Sequence, residues 1–163
     1  MNYGKINKTD IANGPGVRVS IFVSGCPHKC PGCFNPETWD YEYGEPFTVK
    51  TIAEILDAMA PDYISGLSIL GGEPLDDKNI ATVTWLAVRA KAFYPDKSIW
   101  VYTGGLYEKF KNSPLMDYID VLVDGPFIEA KKDISLKFRG SKNQRLIDVQ
   151  ASRASGSVKL WEG

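Results

Sequence analysis

Apolar positions along this chain change their spacing several times, and each change marks an element. Residues 17–24, VRVSIFVS, are β-branched and aromatic-rich and lie between NGPG and GCP, so the pattern predicts a strand. In TVKTIAEILDAMA, residues 48–60, Ile52, Ile55, Leu56 and Met59 fall on one face at helical spacing, with Thr48 as the expected N-cap. GLSIL, residues 66–70, is a short apolar run that ends in GGEPL. Asp76 or Asp77 is the expected cap of a helix running to about residue 93, with Ile80, Val83, Leu86, Ala87 and Ala90 inside. SIWVYTGG (98–105) and DVLVDGPF (120–127) read as strands, separated by a weaker helix over 106–118 that Pro114 interrupts.

Strands alternating with helices imply βαβ units and a parallel sheet. The expected strands are apolar on both faces, as when helices cover both sides or a barrel encloses one. The expected class is therefore α/β, a partial (β/α) barrel or an open parallel sheet, since eight βα units exceed this length. Each later strand runs into a glycine-bearing polar stretch, GGEPL, TGG or DGPF. Ligands of parallel α/β folds bind at the C-terminal strand ends, so these stretches should share one edge with the loop after residue 24.

With 163 residues, 44% of them hydrophobic, the chain can bury one sizeable core, and one domain over 1–163 is expected. The last thirteen residues, ASRASGSVKLWEG, read as a loose tail from about 150 or as a late edge strand. A net charge of −1 argues against nucleic acid or an anionic membrane as the main partner. No signal peptide and no run of 18 apolar residues is visible, so a cytoplasmic setting is expected. Trp39, Trp85 and Trp100 read as core or core-edge residues.

All three cysteines lie in SGCPHKCPGC, at 26, 30 and 33, in a loop that Pro27, Pro31 and Gly32 keep from becoming helical. An odd, clustered set in a reducing compartment points to metal ligands or redox thiols rather than to disulfides. A structural zinc site would recruit His28 as fourth ligand, yet no second ligand pair follows at zinc spacing. C-P-G-C is formally a redox C-x-x-C, which leaves Cys26 unexplained. An iron–sulfur cluster uses all three, and three thiolates leave one iron without a protein ligand, open to a small molecule.

C-x3-C-x2-C followed by a strand-end G-G-E-P resembles the radical S-adenosylmethionine superfamily. GPGVR at 14–18, Phe22 and GCPHKCPGCFN at 25–35 further resemble the glycyl-radical-enzyme activases. The TW at 38–39, VYTG, LVDGPF and RGSKNQ at 139–144 are similar to the subgroup that serves anaerobic ribonucleoside-triphosphate reductase. The resemblance spans roughly residues 10 to 145. One departure from the wider superfamily is Gly32 before the third cysteine, where an aromatic is common, with Phe34 after it.

The resemblance implies a 4Fe-4S cluster on Cys26, Cys30 and Cys33, with S-adenosyl-L-methionine on the open iron. It implies that Gly71, Gly72 and Glu73, with Pro74 fixing the turn, receive the cofactor's amino group, and that Gly32 and Phe34 line its adenosine. Thr103 and Asp124 would lie near the sulfonium and the cofactor carboxylate. The implied reaction is reductive cleavage of the cofactor and formation of a glycyl radical on a loop of the reductase, fed by a flavodoxin-type or ferredoxin-type donor. Activation of another enzyme, such as pyruvate formate-lyase, and a non-catalytic zinc module are the alternatives. His28 reads as an exposed loop residue, and Arg18 as a strand residue without an assigned job. KKDISLKFRGSKNQR, 131–145, holds six basic residues and one acidic residue, a solvated face or a docking surface for the partner's glycine loop.

Overall fold

The computed structural model describes residues 1–163. Seven strands form one mixed sheet: β1 (Asn2–Asp10), β2 (Val17–Val23), β3 (Glu45–Pro46), β4 (Ile64–Gly71), β5 (Ser98–Tyr102), β6 (Val121–Asp124) and β7 (Arg145–Asp148). Their order is β3-β1-β2-β4-β5-β6-β7. The helices are α1 (Val49–Met59), α2 (Ile80–Phe93), α3 (Tyr107–Phe110) and α4 (Val149–Ser155).

The four central strands, β2, β4, β5 and β6, are parallel and joined by α-helical or turn-rich crossovers. Both flanks differ from the all-parallel expectation. β1 runs antiparallel to β2, β3 to β1, and β7 to β6. β1 escapes the sequence pattern because NYGKINKTD has no clean alternation and is mostly half-exposed. It gains its place through long-range pairing, Ile6 with Ile21 and Asn7 with Ser20.

The alternation within β2 sorts the two faces. Val19, Ile21 and Val23 join Leu67, Ile69, Ile99, Val101 and Leu122 on the face that the helices cover. α1 contributes Ile52, Ile55, Leu56 and Met59, and α2 contributes Val83, Leu86, Ala87 and Ala90. Burial of such side chains stabilises the fold by about 1.5–3 kcal/mol each. The other face carries Arg18, Ser20, Ser68 and Trp100, buried although no helix covers them. They are covered instead by the chain before β2 and by the segment between β6 and β7. Phe138 and Trp161 pack edge-on against Trp100, with centroids 5.3 and 4.9 Å away.

Thr48 caps α1, its N–H donating to Thr51 Oγ1 at 3.0 Å. Neither Asp76 nor Asp77 is the cap of α2. That position is Asn79, while the backbone carbonyl of Asp76 accepts from Asn79 and Ile80. The turn after GGEP thus runs further than expected before the helix starts. The expected loose tail is also corrected. Residues 149–155 are helical, the Asp148 side chain caps them by accepting from Ala151 N, and Leu160 bridges back to Ile147. No helix is long and apolar enough to cross a membrane.

Candidate metal centre

A cavity of about 450 Å³ lies at the C-terminal ends of the parallel strands. Phe22, Leu70, Gly71, Tyr102, Thr103, Val123 and Gly125 line it from β2, β4, β5, β6 and the residues just after them. Cys26, Cys30 and Cys33 line the same cavity from the loop after β2. The strand ends and the cysteine loop therefore share one edge of the sheet, as the glycine-bearing stretches suggested.

The cysteine loop is held to the GGEP turn through its backbone. Gly72 N donates to Val23 O at 2.8 Å and Glu73 N to Gly25 O at 2.7 Å. Gly25 N and Cys26 N donate to Thr38 O and Trp39 O in the short 3-10 helix Pro36–Trp39. Asn79, 1% exposed, ties the layers together, its side-chain amide donating to Ser24 O and Glu73 O at 3.0 Å. Two glycines are dictated by this closeness. Gly71 has φ +110, and a Cβ there would lie 2.6 Å from the Val23 backbone. At Gly72 a Cβ would lie 2.6 Å from Gly25 O and 2.7 Å from Thr38 O.

Glu73 turns away from the cavity. Its carboxylate, 2% exposed, accepts from Leu75 N at 2.9 Å, Gly104 N at 2.8 Å and the Thr103 hydroxyl at 2.9 Å. His28 Nε2 lies 2.7 Å from Glu73 Oε1 and makes the fourth contact. His28 is the exposed loop residue that sequence reading expected, but its ring is engaged. It pins the cysteine loop to the ends of β4 and β5. The hydrogen bond to Glu73 raises the His28 pKa against the opposing effect of burial. Burial pushes the Cys26 thiol up as well.

The other expected site residues divide. Gly71, Gly72, Thr103 and Phe34 line the cavity with the thiols, whereas Gly32, Glu73, Pro74 and Asp124 do not. Phe34 is 60% exposed and packs on Phe127, with centroids 5.2 Å apart. Thr103 spends its hydroxyl on Glu73. Asp124 is fully buried beside the cavity rather than in it. Arg145 Nε donates to it at 3.0 Å, a second Arg145 nitrogen also contacts it, and Tyr107 N donates at 2.8 Å. Its carboxylate anchors a turn and the base of the β6–β7 connection.

Arg18 has a structural job that the strand pattern did not reveal. Its guanidinium is fully buried without a salt bridge and donates to Ser68 Oγ, Ser98 Oγ, Pro15 O, Leu67 O and Ser98 O at 2.8–3.2 Å. Burial pulls its pKa down to about 10. These bonds fasten the NGPG turn across β4 and β5, below the cavity. A basic residue inside an otherwise apolar strand was the available signal.

No three His, Cys, Asp or Glu side chains converge closely enough to hold one metal ion. His28, the ligand a mononuclear zinc site would need, is engaged with Glu73. Three thiols around a wide cavity, with no carboxylate or imidazole completing the set, are a donor set suited to an iron–sulfur cluster.

Residues 12–147 match the model of the 4Fe-4S single cluster domain, which places this α/β chain among the single-cluster iron–sulfur proteins. The chain is 42% identical over 148 residues to the anaerobic ribonucleoside-triphosphate reductase-activating protein of Enterobacteria phage T4, covering 90% of this chain and 93% of the phage protein. It is 43% identical over 148 residues to the protein of that name from Escherichia coli K12, covering 88% and 96%. The Vibrio cholerae protein is 42% identical over the same length. The chain belongs to the family of anaerobic ribonucleoside-triphosphate reductase-activating proteins.

Proposed function

We propose that this chain activates an anaerobic ribonucleoside-triphosphate reductase as a radical S-adenosylmethionine oxidoreductase, folded as one unit over residues 1–163 on a partial (β/α) barrel. Cys26, Cys30 and Cys33 would hold a 4Fe-4S cluster, leaving one iron for S-adenosyl-L-methionine. When bound, these groups supply one-electron reductive cleavage of the sulfonium, and with it removal of a hydrogen atom from a glycine of the reductase. The electron comes from a flavodoxin-type or ferredoxin-type donor, in a cytoplasmic setting.

The chain's own residues bind, orient and exclude water. Gly71 and Gly72 offer bare backbone to the cavity, where a carbonyl can accept from an ammonium group. Phe22, Leu70, Val123 and Phe34 give the cavity apolar walls that keep competing hydrogen donors out. His28 and Glu73 hold the thiol loop against the strand ends. The one histidine and the buried glutamate are committed to each other, which suits a reaction that uses no general base at the site.

The observation that carries this reading is the convergence of all three thiols on the cavity that Gly71 and Gly72 also line. Anaerobic reconstitution with iron and sulfide, followed by reduction, should yield 5′-deoxyadenosine from S-adenosyl-L-methionine. Cys30→Ala should abolish that product, and the parent protein should raise a glycyl radical on the reductase, detected by electron paramagnetic resonance. Retained cleavage by Cys30→Ala, or no product from the parent, refutes the reading.

A further inference from the structure

We propose that the basic outer side of the segment between β6 and β7 is the docking surface for an acidic stretch of the reductase near its target glycine, an inference that rests on the function proposed above. The segment folds as a short hairpin. Asp133 N donates to Gly140 O, Lys142 N donates to Lys131 O at 2.9 Å, and Lys132 bridges Ser141.

The RGSKNQ stretch locks this hairpin rather than reaching for a ligand. Gly140 N and Ser141 N donate to Gln144 Oε1, and Arg139 donates to Gln144 O. Gln144 Nε2 donates to Gly125 O, and Asn143 Nδ2 donates to Pro126 O at 2.7 Å. The lysines are thus carried on a fixed frame, not on a loose tether.

The hairpin has two unlike sides. Ile134, Leu136 and Phe138 line the cavity. Lys131, Lys137 and Lys142 do not line it, are exposed, and have no carboxylate within 4.0 Å. Lys131 and Lys142 are neighbours across the hairpin. Of the nearby carboxylates, Asp133 accepts from the backbone and hydroxyl of Ser135, and Glu129 lies against Gly32 with no lysine within 4.0 Å. The chain as a whole carries a net charge of −1, so this positive surface is local.

Unpaired lysines on an ordinary surface face need no partner. These stand on the hairpin whose Ile134, Leu136 and Phe138 line the cavity in which a macromolecular substrate has to place its glycine, and Ile134 at its tip is 92% exposed. Their sign selects an acidic partner segment. An acidic electron carrier is the competing occupant. It needs only electronic reach to the cluster, whereas the substrate segment must pass this rim, which favours the reductase.

The test compares the cluster-loaded parent with the triple variants K131E/K137E/K142E and K131R/K137R/K142R under argon. Affinity for the reductase is measured at low and high salt, and S-adenosyl-L-methionine cleavage is measured with dithionite and no reductase. The Glu variant should bind at least about tenfold more weakly at low salt, with the gap closing to about threefold or less at high salt, as for rim charges that steer association. The Arg variant should bind within about twofold of the parent, and cleavage without reductase should be unchanged in both, because these side chains make no contact with the cavity. Should the triple Glu variant lose its cluster, the single reversals take its place, each expected to weaken binding about threefold. Parent-like binding by the Glu variant overturns the proposal. So does an equal loss at both salts, or a defect confined to reduction by a flavodoxin-type donor. A parent protein that cleaves the cofactor yet never binds the reductase would remove the proposed function itself, and the docking surface with it.

Discussion

Replacing Glu73 by glutamine alters one atom of a buried hub. The carboxylate accepts from Thr103, Gly104 N and Leu75 N and is paired with His28, so each of its two oxygens faces a backbone N–H that can only donate. Glutamine turns one oxygen into an NH2 group. In one orientation that group faces Gly104 N and His28; in the other it faces Leu75 N. Either way a buried N–H loses its acceptor and meets another donor. Loss of a hydrogen bond to a charged group costs about 1.5–3 kcal/mol and an orphaned buried donor about 1–3 kcal/mol. The two overlap, so about 2–4 kcal/mol is expected, a large share of a stability on the order of 5–15 kcal/mol. At about 2–4 °C per kcal/mol for a chain of this size, the midpoint should fall by about 4–16 °C. The assay is thermal unfolding by circular dichroism, on cluster-loaded proteins at one scan rate under argon. His28→Ala removes only one of the four contacts and should cost less, about 1 kcal/mol. Asp77→Asn, on the exposed turn, should lie within about 0.5 kcal/mol of the parent. A midpoint for Glu73→Gln within about 2 °C of the parent, or below that of neither control, would show that the hub does not hold the two halves of the site together.

Gly72→Ala should weaken S-adenosyl-L-methionine binding by at least about tenfold, since its Cβ would meet two backbone carbonyls at 2.6 and 2.7 Å and push the turn from the thiol loop; equilibrium dialysis reads this. Arg18→Met leaves Ser68, Ser98 and three carbonyls without their donor, so urea unfolding should show a loss of about 2–4 kcal/mol. Burial alone would raise the Asp10 pKa, but hydrogen bonds from Ser20, Asn13 and Ala12 N outweigh it and hold the carboxyl below its usual range. A depressed folded pKa contributes stability that is present above the unfolded value near ~3.9 and lost as pH falls through the folded one. Asp10→Asn should therefore flatten the fall of the urea midpoint below about pH 4, and an unaltered acid limb would contradict the assignment.

The central parallel strands, both long helices and the shared edge of cysteines and glycines were legible because each is written in local sequence. Period-2 and helical spacing report burial directly, and GGEP marks a turn by its glycines. What escaped depends on partners far along the chain. β7 pairs with β6 across a long connection, β1 has no alternation of its own to announce its pairing with β2, and β3 has only two residues. Asn79 opens α2 with its amide committed to Ser24 O rather than to the helix, which nothing near residue 79 announces. Arg18 was a strand residue without an assigned job, because its acceptors come from three separate stretches. His28 and Glu73 were read apart, one as a bystander and one as a cofactor contact, and only the fold brings them to 2.7 Å. Asp124 ended a strand as expected, yet its charge serves Arg145, twenty-one positions on.

Asp124 and Arg145 also stand opposite each other as the end pair of β6 and β7. Beyond that stem the connection is held by Phe127 on Phe34 and Phe138 on Trp100, while the exposed Lys131, Lys137 and Lys142 do not line the cavity. Their charge can therefore change over evolutionary time while the thiols stay where they are. Surface charge beside the cavity and placement of the thiols are inherited on separate pieces of the chain.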